Sequence, residues 1–399
     1  MFLFSIAVRV LLHFSFFTSS LRFLPRTNEE FKRYGSNPRI DKTNNRGQHT
    51  WYSIGFPSDF SEKPVRVTIR DVNYIVWRDP ATKEYFSMRD VCSHQGASFL
   101  NAKTHSNCIR CPYHGYEFDG NDGNLKNIPF MPFLPSKLHQ INSFPVLEKG
   151  NMVFLNNAVN YREEIATTDW DNDSLFVEPE FYDPMQKCVY VSEDFNHNAK
   201  FVSVNSLDIC HIGFVHSFGN EKNPNPVNLS RVLRASAESE DSSSSSSVQE
   251  HFKIAYEYLA GDKSLVSQMF REDIVRVENE FILPHTTIAR VIFGNFTSTI
   301  VTHALPVSKF KTRLFVKTYR NYWSYPSTNP FGILLNKIGD RITLATMART
   351  LKEDKSIVDN IDKTNYEGMH GKFSVLFDSL SNQYKKMYKI FYEESETSL

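Results

Sequence analysis

Two short segments, each with one cysteine and one histidine, carry the strongest chemical signal in this 399-residue chain: Cys92-Ser93-His94 and Cys111-Pro112-Tyr113-His114. Together they read Cys-x-His-x16-Cys-x2-His. In a chain with 5 cysteines and 13 histidines, chance produces such a placement on the order of once in 10,000. One thiolate and one imidazole on each of two loops suit a [2Fe-2S] cluster, with one iron held by Cys92 and Cys111 and the other by His94 and His114. Neutral imidazoles in place of two thiolates lower the negative charge, which raises the reduction potential above that of a four-cysteine cluster. A Cys2His2 zinc site is the bland alternative, but zinc spacing pairs cysteine with cysteine and histidine with histidine. Cys108-Ile109-Arg110-Cys111 also spells a redox dithiol. Cys111 is better used on iron, which leaves Cys108 as a packed thiol.

A second constellation follows at Asp208, His211 and His216, spaced Asp-x2-His-x4-His. Alone it is a modest signal, expected by chance in about 2% of such chains. Asp208 and His211 are three apart and share a helix face, whereas His211 and His216 are five apart, about 140° round an ideal helix. Both histidines reach one metal only if the helix distorts or ends between them, and Gly213 eases a local π-type bulge.

These residues need elements to position them. From Trp51 to Leu155 short β-prone runs (65–69, 74–77, 85–88, 109–113 and 152–155) are punctuated by Gly, Asn, Asp and Pro, the pattern of a small antiparallel β domain over 48–160. Beyond a polar stretch at 156–173, a second domain over 161–399 has helical spacing at 196–218, strands at 273–322 and helical periodicity from about 330 to 392. The fold class is α+β. Residues 234–247 are polar and serine-rich, hence a surface loop inside the second domain. Residues 1–27 begin with a mostly apolar stretch interrupted by Arg9 and read as a targeting leader rather than a membrane span.

Composition narrows the function classes. Lys+Arg 45 balance Asp+Glu 45 for a net charge of zero, so no broad basic field is available for a phosphate backbone. Five cysteines are too few for a disulfide-dense scaffold. With Cys92 and Cys111 on iron, Cys108, Cys188 and Cys210 remain as free thiols.

The segment CPYHGYEFDG, 111–120, resembles the second cluster loop and following hairpin of the Rieske domain in Rieske-type non-haem iron oxygenases. Respiratory Rieske proteins carry an extra cysteine on each loop and join the two; here Ala97 and Tyr113 stand at those positions, which implies a lower-potential, oxygenase-type cluster. The Asp208–His216 segment is similar to that family's catalytic motif, so the resemblance implies that His211 and His216 bind a mononuclear Fe(II) completed by a distant carboxylate. KEDKSIVDNI, 352–361, resembles the corresponding stretch of demethylating monooxygenases of the dicamba type. It points to Asp354 as third ligand, with Glu353, Asp359 and Asp362 as rivals; Ile357 and Val358 would give the Asp354 face an apolar, inward side.

The family further implies a helix-grip (START-like) catalytic domain with a curved antiparallel sheet, and a homotrimer in which Asp208 accepts hydrogen bonds from His211 and from His114 of the adjacent chain. It also implies a ferredoxin or NAD(P)H-dependent reductase as electron donor and O2 as co-substrate. The expected activity is hydroxylation or demethylation of a largely apolar small molecule, a monooxygenase before a dioxygenase, with Ile209, Ile212 and Phe214 beside the ligands supplying an apolar pocket wall. The competing class is a non-oxygenating Rieske redox or scaffold protein of the plastid-translocon type. The leader suits a plastid, with the secretory pathway or the cytoplasm as alternatives.

Overall fold

In the computed structural model the described residues are 51–134, 140–157, 175–235, 250–326, 330–363 and 373–390, apart from Glu62 and Leu265. The leader, the 156–173 stretch beyond Asn157 and the serine-rich segment beyond Ala235 lie outside them.

Ten strands build the N-terminal part: β1 (Trp51–Gly55), β2 (Val65–Ile69), β3 (Val72–Arg78), β4 (Tyr85–Arg89), β5 (Lys103–His105), β6 (Cys108–Arg110), β7 (Glu117–Asp119), β8 (Leu125–Asn127), β9 (Val146–Lys149) and β10 (Met152–Asn156). They form three small antiparallel sheets, ordered β1-β10-β9, β2-β3-β4 and β5-β6-β7-β8. Four of the five expected runs are strands; the fifth, 109–113, is strand only to Arg110, because the chain must turn there to present Cys111 and His114.

Seven strands follow in one antiparallel sheet: β11 (Lys187–Phe195), β12 (Leu233–Arg234), β13 (His251–Leu259), β14 (Ile274–Ile282), β15 (Thr286–Phe293), β16 (Phe296–Ser308) and β17 (Lys311–Arg320), in the order β11-β17-β16-β15-β14-β13-β12. Arg234, read from sequence as the start of the serine-rich loop, pairs with Phe252. The helices are α1 (Ala199–Leu207), α2 (Ile212–Val215), α3 (Pro330–Val358) and α4 (Ser379–Tyr388).

Alternation along β16 and β17 decides what covers each face of this sheet. Ala304, Leu314 and Val316 pack with Val202 of α1 and with Leu351 and Val358 of α3. Their sequence neighbours Leu305 and Phe315 point the other way, into the core of the N-terminal part with Tyr52, Val67 and Met152. Helices therefore cover one face and the small β sheets the other.

The long helix α3 starts with Pro330, whose missing N–H costs nothing at a first helical position. Its register on the sheet is fixed by the buried Arg320 at the end of β17. That guanidinium donates to Asn336 O at 2.9 Å, to Asp340 Oδ1 at 2.6 Å and to the carbonyls of Tyr322 and Trp323 at 2.6 and 2.8 Å. Gly339 leaves room for it; a Cβ there would come 2.7 Å from the guanidinium. Asp354 follows about 21 Å further along this anchored rod.

Candidate metal centres

Cys92 and Cys111 are buried at the bases of two loops that close in the same way. In the first, Cys92 N donates to Ala97 O and Gly96 N donates to Cys92 O, both at 2.8 Å; in the second, Cys111 N donates to Tyr116 O at 2.8 Å and Gly115 N to Cys111 O at 3.0 Å. Each loop turns on a glycine with positive φ, +75° at Gly96 and +74° at Gly115, a conformation that a side chain would strain. The Cys-x3-Gly repeat was present in the sequence, but its meaning is visible only in these shared hydrogen bonds. Buried Asp90 holds the first loop through Phe99 N at 2.6 Å and the Ser98 hydroxyl, and is itself paired with Arg66 at 2.6 Å. Asp119 holds the hairpin of the second through Asn107 at 2.7 Å and Lys126 at 3.1 Å. Sequence reasoning missed both aspartates.

The two imidazoles meet at the tips, with His94 Nδ1 and His114 Nδ1 3.2 Å apart and Tyr116 stacked on His94. Two nitrogens bound to one tetrahedral metal at about 2.0–2.1 Å stand about 3.3 Å apart, so this spacing fits an iron between them. Burial pushes the Cys92 thiol up to about 11, and the nearby Cys111 adds to the shift against a hydrogen bond from the His94 backbone. A bound cation would be needed to hold Cys92 as a thiolate at neutral pH. The four ligand atoms do not converge as a single set; among the described residues the converging set is His211, His216 and Asp354. Two thiols at the loop bases and two imidazoles at the tips suit the two irons of a binuclear cluster. All five cysteines are free thiols, so neither Cys108 nor the pair forms a disulfide. Ala97 and Tyr113 stand where a bridging pair would be, with Tyr113 largely exposed.

Residues 50–145 match the Rieske [2Fe-2S] domain, the stretch that contains both loops. This chain carries a Rieske domain.

The second centre lies where α1 ends. The α1 helix stops at Leu207, Asp208 is extended (φ −72°, ψ 125°), and the two histidines flank the four-residue α2, His211 before it and His216 after it. The helix thus ends rather than bulging at Gly213. His211 Nε2 and His216 Nε2 both face Asp354 Oδ1, at 3.5 and 3.6 Å, and the ligand atoms of the three residues lie within 4.8 Å of one another. Two imidazoles and one carboxylate on one side of a point make the facial set that suits ferrous iron with open positions. Asn205 of α1 donates to the same Asp354 oxygen at 3.2 Å.

The rivals have other partners. Glu353 Oε2 lies 3.3 Å from His216 Nδ1, the far side of the ring. Asp359 accepts from Asn196 N and Nδ2 at 2.7 and 2.8 Å, which ties the end of α3 to the chain leaving β11. Asp362 lies beyond the end of α3. The inward face at Asp354 is marked by Leu351 and Val358, both buried; Ile357, counted from sequence on that side, is 48% exposed.

Asp208 differs from expectation within the chain. His211 Nδ1 contacts the Asp208 backbone carbonyl at 2.9 Å, not its carboxylate, whose Oδ1 accepts from Cys210 N at 2.8 Å. The extended backbone at Asp208 turns its carbonyl toward the imidazole and leaves the carboxylate half-exposed. Burial works against a charged His211, but the hydrogen bond and charge of Asp354 outweigh it and hold its pKa above the ordinary value. For His216 burial wins over Asp354 and the pKa falls. Of the three apolar neighbours, Ile209 is buried and lines a cleft with Ile212, Pro224 and Tyr258, whereas Phe214 is 64% exposed and faces away.

The oxygenase component of dicamba O-demethylase from Stenotrophomonas maltophilia is 27% identical over 176 residues, 42% of this chain and 47% of that protein. Chloroplastic pheophorbide a oxygenase from Oryza sativa subsp. japonica is 24% identical over 177 residues, 42% of this chain and 32% of that protein. The matches thus span about half the length of these curated relatives or less. Across the fold the likeness is wider. Apo dicamba monooxygenase superposes with a TM-score of 0.66 at 17% identity, covering 88% of this chain and 99% of that one. Pseudomonas putida CBB5 NdmA with caffeine gives 0.63 at 18%, covering 85% and 89%. The resemblance drawn from the sequence holds for the Rieske domain and for the fold that follows it.

Proposed function

We propose that this protein is a Rieske-type oxygenase, a monooxygenase that hydroxylates or demethylates a largely apolar small molecule. The observation that carries the proposal is the convergence of His211 Nε2 and His216 Nε2 on one oxygen of Asp354, in a chain that also carries a Rieske domain. Cys92, Cys111, His94 and His114 hold the cluster, and His211, His216 and Asp354 hold the mononuclear iron. When bound, these groups supply single electrons and a place to activate O2, chemistry that side chains alone do not provide.

The chain's own residues supply the setting. Asn205 orients the Asp354 carboxylate, and the Asp208 carbonyl and Glu353 carboxylate fix the two imidazoles from behind. Ile209 and Ile212, on the segment that carries His211, line a small cleft with Pro224 and Tyr258. The half-exposed Asp208 carboxylate is available to His114 of the partner subunit in a homotrimer, the route by which each cluster serves a neighbouring iron. Electrons come from a ferredoxin or an NAD(P)H-dependent reductase, and a local basic patch is sufficient to dock an acidic donor on a chain of zero net charge. The likeness to a chloroplastic oxygenase and the apolar leader both favour a plastid. A redox or scaffold protein without oxygenase activity has no need of the second converging set. Iron analysis with EPR of the purified protein tests the reading: about three irons per chain and a Rieske signal on reduction are expected, and zinc in their place would overturn it. Reductase-driven O2 consumption in a screen of aromatic ethers then tests the substrate class.

A further inference from the structure

Glu353 and Asp354 are consecutive on α3, so their side chains leave the helix about 100° apart. Both nevertheless reach one imidazole. Asp354 Oδ1 lies 3.6 Å from His216 Nε2, and Glu353 Oε2 lies 3.3 Å from Nδ1 of the same ring. That Oε2 also accepts from the backbone N–H of Ser217 at 3.3 Å. The other oxygen, Oε1, is 3.3 Å from Nε of Arg349 one turn earlier. Phe218 stacks on the ring face, with centroids 4.9 Å apart and planes 16° from parallel. His216 is thus held on its edge by a carboxylate and on its face by an aromatic ring. His211 has only a neutral carbonyl behind its Nδ1, that of Asp208.

We propose that Glu353 is a positioning residue of the mononuclear centre, which keeps the hydrogen of His216 on Nδ1 and aims the Nε2 lone pair at the metal position. The inference rests on the reading of His211, His216 and Asp354 as an iron site and adds a residue that is not one of the three converging ligands. A carboxylate behind a ligand imidazole fixes its tautomer and raises its basicity, and losing it costs about 10–100-fold in metal affinity. A carboxylate therefore stands behind the His216 ring and a carbonyl behind the His211 ring. The requirement also explains two consecutive acids at this point of the helix: one binds, and its neighbour holds the histidine that binds beside it.

The test uses Glu353→Ala and Glu353→Gln in the full chain with the cluster intact. The mononuclear iron is stripped and the site titrated with Co(II), read by its EPR signal while the oxidised cluster is silent. Glu353→Ala is expected to lose about 10–100-fold in Co(II) affinity and to change the shape of the signal. Glu353→Gln, whose amide oxygen still accepts from Nδ1, is expected to lose only several-fold. Wild-type affinity with an unchanged signal in Glu353→Ala overturns the proposal. Should Glu353→Ala lose the reduced-cluster signal and with it the fold, Glu353→Gln carries the test, and an affinity and signal equal to wild type overturn it. Failure of the wild-type protein to take up Co(II) at this site refutes the iron site itself, a different result from equal binding by wild type and variant.

Discussion

Lys317 and Glu178 fasten the Rieske part to the catalytic sheet, and removing one of them has a calculable cost. Lys317 Nζ on β17 lies 2.6 Å from Glu178 Oε1 and donates to Gly150 O, in the turn between β9 and β10, at 3.1 Å; the Tyr319 hydroxyl donates to the same carboxylate. Their side chains are 2% and 1% exposed. Glu178→Leu strands a buried ammonium with one backbone carbonyl and leaves the Tyr319 hydroxyl without its acceptor. Breaking a buried pair on one side costs about 3–5 kcal/mol, a large share of a total stability of about 5–15 kcal/mol. Removing both charges in Glu178→Leu/Lys317→Met avoids the stranded ion, so the double variant is expected to recover about 1–3 kcal/mol relative to the sum of the single losses. Urea unfolding of the cluster-loaded protein, followed by far-UV and visible circular dichroism, measures all three variants. A Glu178→Leu variant within about 1 kcal/mol of wild type, or a double variant as unstable as the sum of the singles, would refute the argument that the pair is a buried charge clamp.

Asp354→Ala removes the oxygen that both Nε2 atoms face, so iron should fall from about three to about two per chain while the Rieske EPR signal persists; retention of the third iron would assign the ligand elsewhere. Asp208→Asn keeps an oxygen for the Cys210 N–H and should leave both metals bound while turnover collapses. Turnover near the wild-type rate with metal content confirmed would end the bridging role. His303 is buried beside Thr286, and burial, with the charge of Lys317 adding to it, holds its pKa well below the ordinary 6.5. The unfolded chain therefore binds a proton that the folded one does not, and stability falls as pH drops below about 6.5. Between pH 7 and 5.5 this one group contributes on the order of 1 kcal/mol of that loss. His303→Gln should lack this component in paired urea titrations, and an unchanged pH dependence would count against it.

The cluster motif was legible because its chemistry is local: each loop needs one thiolate, one imidazole and one turn glycine within five residues, and a chain can encode that without reference to distant contacts. Four of the five runs expected in the Rieske part are strands for the same reason, since alternation and turn residues are short-range signals, whereas β1, β5, β7, β8 and β9 matched no expected run. Strands β11 and β13 escaped notice. β11 reads KCVYVSEDF and β13 HFKIAYEYL, both mixed enough in polarity that their membership in the sheet is decided by the partners across it.

The mononuclear site shows where sequence reading stops. Asp208, His211 and His216 could be counted along the chain, but an ideal helix puts the histidines about 140° apart, and only the end of α1 at Leu207 and the short α2 resolve the conflict. The choice among Glu353, Asp354, Asp359 and Asp362 could not be made from spacing. Arg320 and Gly339 set the register of α3 from one end and Asn196 holds Asp359 at the other, and that register turns Asp354 to the Nε2 atoms and Glu353 to Nδ1. Likewise the backbone at Asp208, not its side chain, meets His211. The sequence by itself determined which residue types are available for metal chemistry, because ligand identity and loop spacing are properties of the chain. Tertiary structure alone decided which carboxylate faces both Nε2 atoms and which one faces Nδ1, because adjacent side chains on a helix diverge by about 100° and their surroundings depend on how that helix is clamped to the sheet.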